Sequence, residues 1–396
     1  MPIGNRKNLI YGLALPLVGR RCRWHTATLH GDTATDATAA VTRVLKRSHA
    51  VGACVQRMKQ GALAECYTAG NARLKPDVPV TPDTYFRTAS IAKMALSLLV
   101  MRMQTLGMLD VQEDISDLWG EPIRNPKHPD TPIPLGSLLS HTSGIADSPL
   151  YYSAYEKPVA VDLILRNSAT FTYTKPYERF RYSNFAAGLI GSLLERRFNR
   201  SLEALAQMYV FAPLNVQATF DLSTLSGASI ADAYRVLPVT KAAAFDAVAR
   251  FQSASPIDLP DPASHYLLAS GSLYITAPGL MRLCMPLVHE GMASGEQFLD
   301  ARSVTLMRTP TAAWPEPQVR MRHGMGLLEV DDTAIYPARL NGHQGFAYGA
   351  VNGVFFDDAG NGFASLNSGA SEKRIGHLSC LNRDLIRVLL PGDAHA

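Results

Sequence analysis

The stretch Phe86-Arg87-Thr88-Ala89-Ser90-Ile91-Ala92-Lys93-Met94-Ala95-Leu96 constrains this chain more than any other. Its apolar pattern predicts the start of a buried helix, with a serine in the first turn and a lysine three residues on. Positions i and i+3 share a helix face, so Ser90 Oγ and the Lys93 amine can meet. A serine hydroxyl becomes a useful nucleophile only when a base takes its proton. A lysine in a dry site can lose its charge and serve as that base. The helix N-terminus adds backbone N–H groups where an oxyanion would form.

Two later stretches carry compatible chemistry. In Phe180-Arg181-Tyr182-Ser183-Asn184-Phe185, a serine and an asparagine precede an apolar run, as helix caps do. Tyr182 and Asn184 alternate there and can face one cleft. In Gly342-His343-Gln344-Gly345-Phe346, a glycine allows close backbone approach beside a strand expected to end near Leu340.

Together with Leu106-Gly107-Met108-Leu109-Asp110, these motifs resemble the serine β-lactamase and penicillin-binding-protein superfamily, in its class C-like branch. The resemblance covers about residues 45 to 390. It implies an α/β (α+β) fold of the β-lactamase/transpeptidase type, an antiparallel sheet flanked by helices plus an inserted, mainly helical lobe. It implies an acyl-enzyme on Ser90, with Lys93 and Tyr182 as the catalytic partners that deprotonate it, the tyrosine as a general base, either as phenolate or by sharing a proton with the lysine. Asn184, His343 and Gly345 would bind substrate, His343 by assisting proton transfer or holding a carboxylate. The backbone N–H groups of Ser90 and Phe346 would form the oxyanion hole.

Several residues depart from the family pattern. Lys175-Pro176-Tyr177-Glu178 stands where a Pro-Gly turn is usual, and Ser270 and Ser272 replace smaller residues. His141, in Leu138-Leu139-Ser140-His141-Thr142-Ser143-Gly144-Ile145, is expected to fix a loop by hydrogen bonds rather than to act as a base.

The chain has 396 residues, 47% hydrophobic, enough for one large domain or two lobes. The domain is expected over residues 33–391, with an α/β lobe at 33–85 and 265–391 and a helical lobe at 86–264. Helices are expected over Ser201–Phe211 and Ile375–Leu390, and strands over Ala350–Phe356 and Gly362–Asn367, joined by the turn Asp357–Asn361. Residues 222–265 carry the least pattern. Residues 392–396 are a tail, and residues 1–32 an extension or targeting leader. Arg6 and Lys7 before the apolar Leu9–Val18 suit a signal peptide, whereas an arginine-rich, acid-free start suits a mitochondrial leader. A loosely docked extension fits equally well.

Net charge is +4 with the signs interspersed, so nucleic-acid binding is not indicated. No apolar run reaches the eighteen or so residues that span a bilayer. The expected partner is a small-molecule or peptide substrate. No cofactor motif is present, and no His-x-His or His-Glu-x-x-His cluster supports a metallo-hydrolase. A catalytically silent scaffold is the rival of another class. Among five cysteines, Cys54 and Cys66 would lie directly opposite in a hairpin turning at Lys59-Gln60-Gly61. Two small buried hydrophobes are the simpler reading of that pair.

Overall fold

The computed structural model describes residues 3–18, 28–30, 37–225, 229–237, 239–242, 257, 259–315 and 318–390. Ten strands make the main sheet: β1 (Thr28–His30), β2 (Gly52–Lys59), β3 (Ala62–Arg73), β4 (Val78–Pro79), β5 (Ala312–Ala313), β6 (Met321–His323), β7 (Leu328–Val330), β8 (Leu340–Ala347), β9 (Ala350–Phe356) and β10 (Gly362–Asn367). They run in the order β1-β3-β2-β10-β9-β8-β7-β6-β5, all neighbours antiparallel, with β4 pairing β3.

Alternation along the strands sends side chains to two different cores. Val55, Tyr67, Phe355 and Phe363 join one face with helices α2 (Ala37–Arg47) and α6 (Cys380–Leu389). Cys54, Met58, Val354, Phe356 and Leu366 join the other. There they meet α5 (Ala277–Val288) and the core of the helical lobe, which is built around α3 (Ala92–Thr105) and α4 (Asn184–Phe198). Helix α3 is buried over nearly its whole length, consistent with its all-round apolar sequence.

Several sequence expectations shift. The His343 motif does not follow a strand ending near Leu340: Leu340 opens β8, and the motif lies on the strand itself. The C-terminal helix, expected from Ile375, starts at Cys380 after a short hairpin of Arg374–Ile375 and Leu378–Ser379. The helix expected over Ser201–Phe211 is α-helical at Leu202–Ala206 and wider-wound over Gln207–Phe211. Of the poorly readable stretch 222–265, residues 243–256 lie outside the described residues, as do Arg20–Arg23 and the 392–396 tail.

The N-terminal extension is partly incorporated. Residues 28–30 pair with β3 as an edge strand. Ile3–Val18 forms helix α1, whose Leu15 is buried with Val51, Tyr234 and Val236. Asn8 exchanges two hydrogen bonds with the backbone of Arg374, at 2.7 and 3.0 Å. Among the described residues, no helix is long and apolar enough to cross a membrane.

The β2–β3 register corrects the cysteine geometry. Lys59 pairs with Ala62 across a two-residue turn, with positive φ at Gln60 and Gly61, as a type I′ hairpin needs. A bulge between Gln56 and Met58 then moves Cys66 opposite Gln56, and Cys54 opposite Thr68. The thiols are therefore diagonal, with Sγ atoms 3.4 Å apart, both buried and free. Their hydrogen bond, then burial, pushes the Cys54 thiol well above its ordinary range, which keeps it unreactive. Unfolding without reductant should therefore expose both to alkylation. A mass short by two hydrogens and two missing adducts would instead reveal a disulfide.

Candidate active site

The backbone turns sharply into the nucleophile helix. Ala89–Ile91 form a 3₁₀ turn ahead of α3, and Ala89 takes φ +53°. A left-handed alanine costs about 1–2 kcal/mol, held here by its surroundings. Strand β8 runs directly against this turn. A Cβ on Gly345 would lie 2.1 Å from Thr88 O and 3.2 Å from Ser90 N, so only glycine lets the strand pass. Gly345→Ala should therefore push β8 and the Ser90 turn apart, with a stability loss of about 1–3 kcal/mol and a larger loss of activity. An unchanged melting temperature with full activity would contradict this packing.

Lys93 is buried in the first turn of α3. Its Nζ lies 3.3 Å from Ser90 Oγ, 3.0 Å from Asn184 Oδ1 and 2.6 Å from Ser270 O. Burial brings the amine down to about 7, against the opposing pull of the Asp147 charge. The Lys93 Nζ also sits 5.2 Å from the centroid of the Tyr182 ring. The Tyr182 phenol hydrogen-bonds Ser90, yet burial, aided by Asp147, pushes its pKa well above the ordinary value. Near neutral pH the geometry therefore pairs a lysine that can be uncharged with a tyrosine that keeps its proton.

The Tyr182 loop is bracketed by His141. Arg181 N–H donates to the His141 carbonyl at 2.8 Å, and Ser183 N–H donates to His141 Nδ1 at 3.3 Å. The two rings pack with centroids 4.3 Å apart. This is the loop-fixing role expected of His141. Ser183 caps α4 by accepting from Ala186 N–H, and Asn184 opens the helix. Upstream, Tyr177 takes φ +67° at the place of the usual turn glycine, so the loop reaches a left-handed turn without one.

His343, expected to assist proton transfer or hold a carboxylate, sits where it stays uncharged. It is buried on β8, its Nδ1–H donates to Gln344 O at 2.8 Å, and burial brings its pKa down to about 3. Neighbouring His323, on β6, behaves alike: Nδ1–H donates to Gly324 O at 2.7 Å and the pKa falls to about 4. Both imidazoles are neutral at pH 7, so neither offers a positive charge to a carboxylate.

Ser90, Asn184 and Phe346 line two cavities at once. One, of about 310 Å³, also takes in Tyr182, Trp314, His323, His343 and Arg374. The other, of about 270 Å³, takes in Arg87, Tyr155, Ser270 and Tyr348. A larger groove of about 780 Å³, near Arg282 and His289, holds none of the motif residues. The structure thus brings Ser90, Lys93, Tyr182, Asn184, His343, Gly345 and Phe346 into one region. Among the described residues, no cluster of three His, Cys, Asp or Glu side chains could hold a metal.

The sequence reading passed over three neighbours. Asp147 accepts from Ser183 Oγ, Asn184 Nδ2 and Phe185 N. Its only sequence signal is its place two residues beyond the Ser140–Ile145 signature. His323 and Arg374 stand alone in the sequence, and nothing there ties them to the cleft.

Among curated relatives, the probable fimbrial assembly protein FimD, serogroup H1, of Dichelobacter nodosus is 27% identical over 153 residues, 38% of each chain. The chain thus spans well under half of that relative. Penicillin-binding protein 4 of Amycolatopsis lactamdurans is 25% identical over 311 residues, 76% of each. Among solved structures, the octameric penicillin-binding protein homologue from Pyrococcus abyssi superposes with a TM-score of 0.71 at 19% identity, covering 90% of this chain and 77% of that one. The D-amino acid amidase from Ochrobactrum anthropi SV3 gives 0.68 at 20% identity, covering 90% and 98%. At such identities the structural likeness is one of fold. The Beta-lactamase family model matches residues 37–374, most of the sequence, and the chain belongs to that family.

Proposed function

We propose that this chain is a serine hydrolase that forms an acyl-enzyme on Ser90 and hydrolyses an amide or ester. The observation that carries the proposal is the buried Lys93 amine, 3.3 Å from Ser90 Oγ and down to about 7. A neutral amine in that position can take the serine proton at physiological pH. Ser90 Oγ then attacks the substrate carbonyl, and the oxyanion rests on the N–H groups of Ser90 and Phe346. Tyr182, protonated at the start, passes its proton to the leaving group and regains one from the Lys93 ammonium. Water attacks the acyl-enzyme by the same relay run in reverse, which restores Ser90.

The cleft and the likeness to solved structures support a substrate class without a β-lactam ring. A solved neighbour is a D-amino acid amidase, which favours an amide beside a D-amino acid. A simple ester is the next candidate. Neutral His343 supplies no cation for the carboxylate of a β-lactam, so that charge would have to come from Arg374 in the same cavity, which makes a dedicated β-lactamase the less favoured reading. An acyltransferase would use the same residues and differ only in the nucleophile that meets the acyl-enzyme.

Turnover of D-alanine p-nitroanilide, a short-chain nitrophenyl ester and a chromogenic cephalosporin separates these readings. The anilide or ester should be turned over faster than the cephalosporin. Tyr182→Phe should lower kcat on the anilide by about 10²–10⁴-fold. The loss should be smaller on the ester, whose nitrophenolate leaves without a proton. Equal losses on both would remove Tyr182 from leaving-group protonation. No turnover of any of the three by folded protein would favour the scaffold reading.

A further inference from the structure

A neutral lysine amine has two N–H bonds and one lone pair. Three oxygens surround Lys93 Nζ: Ser270 O at 2.6 Å, Asn184 Oδ1 at 3.0 Å and Ser90 Oγ at 3.3 Å. The Ser270 carbonyl can only accept. Asn184 can present either end of its amide. With its oxygen toward Nζ, it takes the second N–H and leaves the lone pair for the Ser90 proton. With its NH₂ toward Nζ, it would donate to that lone pair and block the base.

Asp147 settles which end is presented. A carboxylate is acceptor-only. Oδ2 accepts from Asn184 Nδ2 at 3.0 Å and from Tyr152 OH at 3.4 Å. Oδ1 accepts from Ser183 Oγ at 2.8 Å and from Phe185 N–H at 2.9 Å. All four neighbours donate to it, and the Phe185 N–H and the Asn184 NH₂ can do nothing else, so each carboxylate oxygen faces a group that requires an acceptor.

We propose, resting on the hydrolase reading above, that Asp147 is a positioning residue for the Ser90 chemistry. By claiming the Asn184 NH₂ it turns the amide oxygen to Lys93, so both Nζ–H bonds are occupied and the lone pair faces Ser90 Oγ. Its contacts to Ser183 and Phe185 fix the chain on either side of Asn184, two residues beyond Tyr182. The amide cannot rotate without breaking a charge-assisted bond.

The role has a titration signature. The titratable groups facing Lys93 are Asp147, Tyr182 and the imidazoles of His141, His323 and His343. Burial holds the phenol and the three imidazoles neutral, so Asp147 brings the negative charge that favours the ammonium. Removing that charge lowers the Lys93 pKa, and the acid limb of the rate profile moves to lower pH.

The test compares wild type, Asp147→Asn, Asn184→Leu and the double variant of the full chain. The acylation burst with a nitrophenyl ester and kcat/KM against pH are the readouts. Asp147→Asn should slow acylation by about 10–100-fold, with KM little changed and the acid limb shifted down. In the Asn184→Leu background the same substitution should add less than about twofold, because the two residues act as one unit. An equal loss in both backgrounds, or an unmoved acid limb, would leave Asp147 as loop structure and overturn the proposal. If Asp147→Asn does not fold, Asp147→Ser, which keeps one acceptor, takes its place with the same readouts. A wild type with neither a burst nor a fluorophosphonate adduct would overturn the hydrolase reading and this role together. A normal wild-type burst with an unshifted Asp147→Asn profile would overturn this role alone.

Discussion

Ser90→Ala should lower turnover of the best substrate by at least about 10³-fold, because the proposed acyl-enzyme forms on its hydroxyl. The loss should fall on kcat, with binding of substrate little changed. Ser90 is only half-buried and its hydroxyl packs no core, so the melting transition should move by no more than about 0.5 kcal/mol equivalent. This separation matters. A folded, substrate-binding and inactive variant identifies a nucleophile, whereas an unfolded one identifies nothing. Retention of a tenth of the activity or more would place the chemistry elsewhere.

Lys93→Met should be nearly as severe, losing about 10²–10⁴-fold in kcat/KM. Methionine fills much the same volume but offers no lone pair. In the wild type, kcat/KM should rise with pH up to about 7, because only the uncharged amine accepts the Ser90 proton. The same shift has a stability consequence. Lys93 titrates at about 7 in the folded chain, against 10.5 for an ordinary lysine. Between those values the unfolded chain binds a proton that the folded chain does not, so folding becomes more favourable as pH rises across that window. The stability difference between wild type and Lys93→Met should therefore change by about 1.4 kcal/mol for each pH unit there. A flat difference would mean that Lys93 stays charged, which would contradict its role as the resting base.

The legible part of this protein was its periodic and punctuated part. Helix α3 was readable from the apolar run after Ser90, and the pair β9–β10 from the turn Asp357–Asn361 between two apolar runs. The motif residues were readable as residue types, and Gly345 as a point of close approach. What the sequence hid was set by tertiary contact. The bulge between Gln56 and Met58 moved Cys66 by one pairing, a shift that no local pattern announced. Residues 28–30 became an edge strand because β3 offered an open edge, although a three-residue segment carries little periodicity of its own. The ionisation states depend on tertiary burial too. Burial brings the Lys93 amine down to about 7 and holds the Tyr182 phenol protonated, and neither degree of burial can be read from residue type alone. His343 reads as a switchable group near pH 6.5, and burial takes it out of that range. Asp147 was invisible because its meaning lies in three donors that arrive from the start of α4, some 37 residues away.

The most direct test of a Lys93-activated serine is the intact mass of the protein after exposure to a fluorophosphonate probe at a series of pH values. Wild type should gain one adduct, mapped to Ser90, at a rate that climbs with pH to a plateau just above 7, and Ser90→Ala should gain none. An adduct that persists in Ser90→Ala, or folded wild type that stays unmodified throughout, would contradict the account.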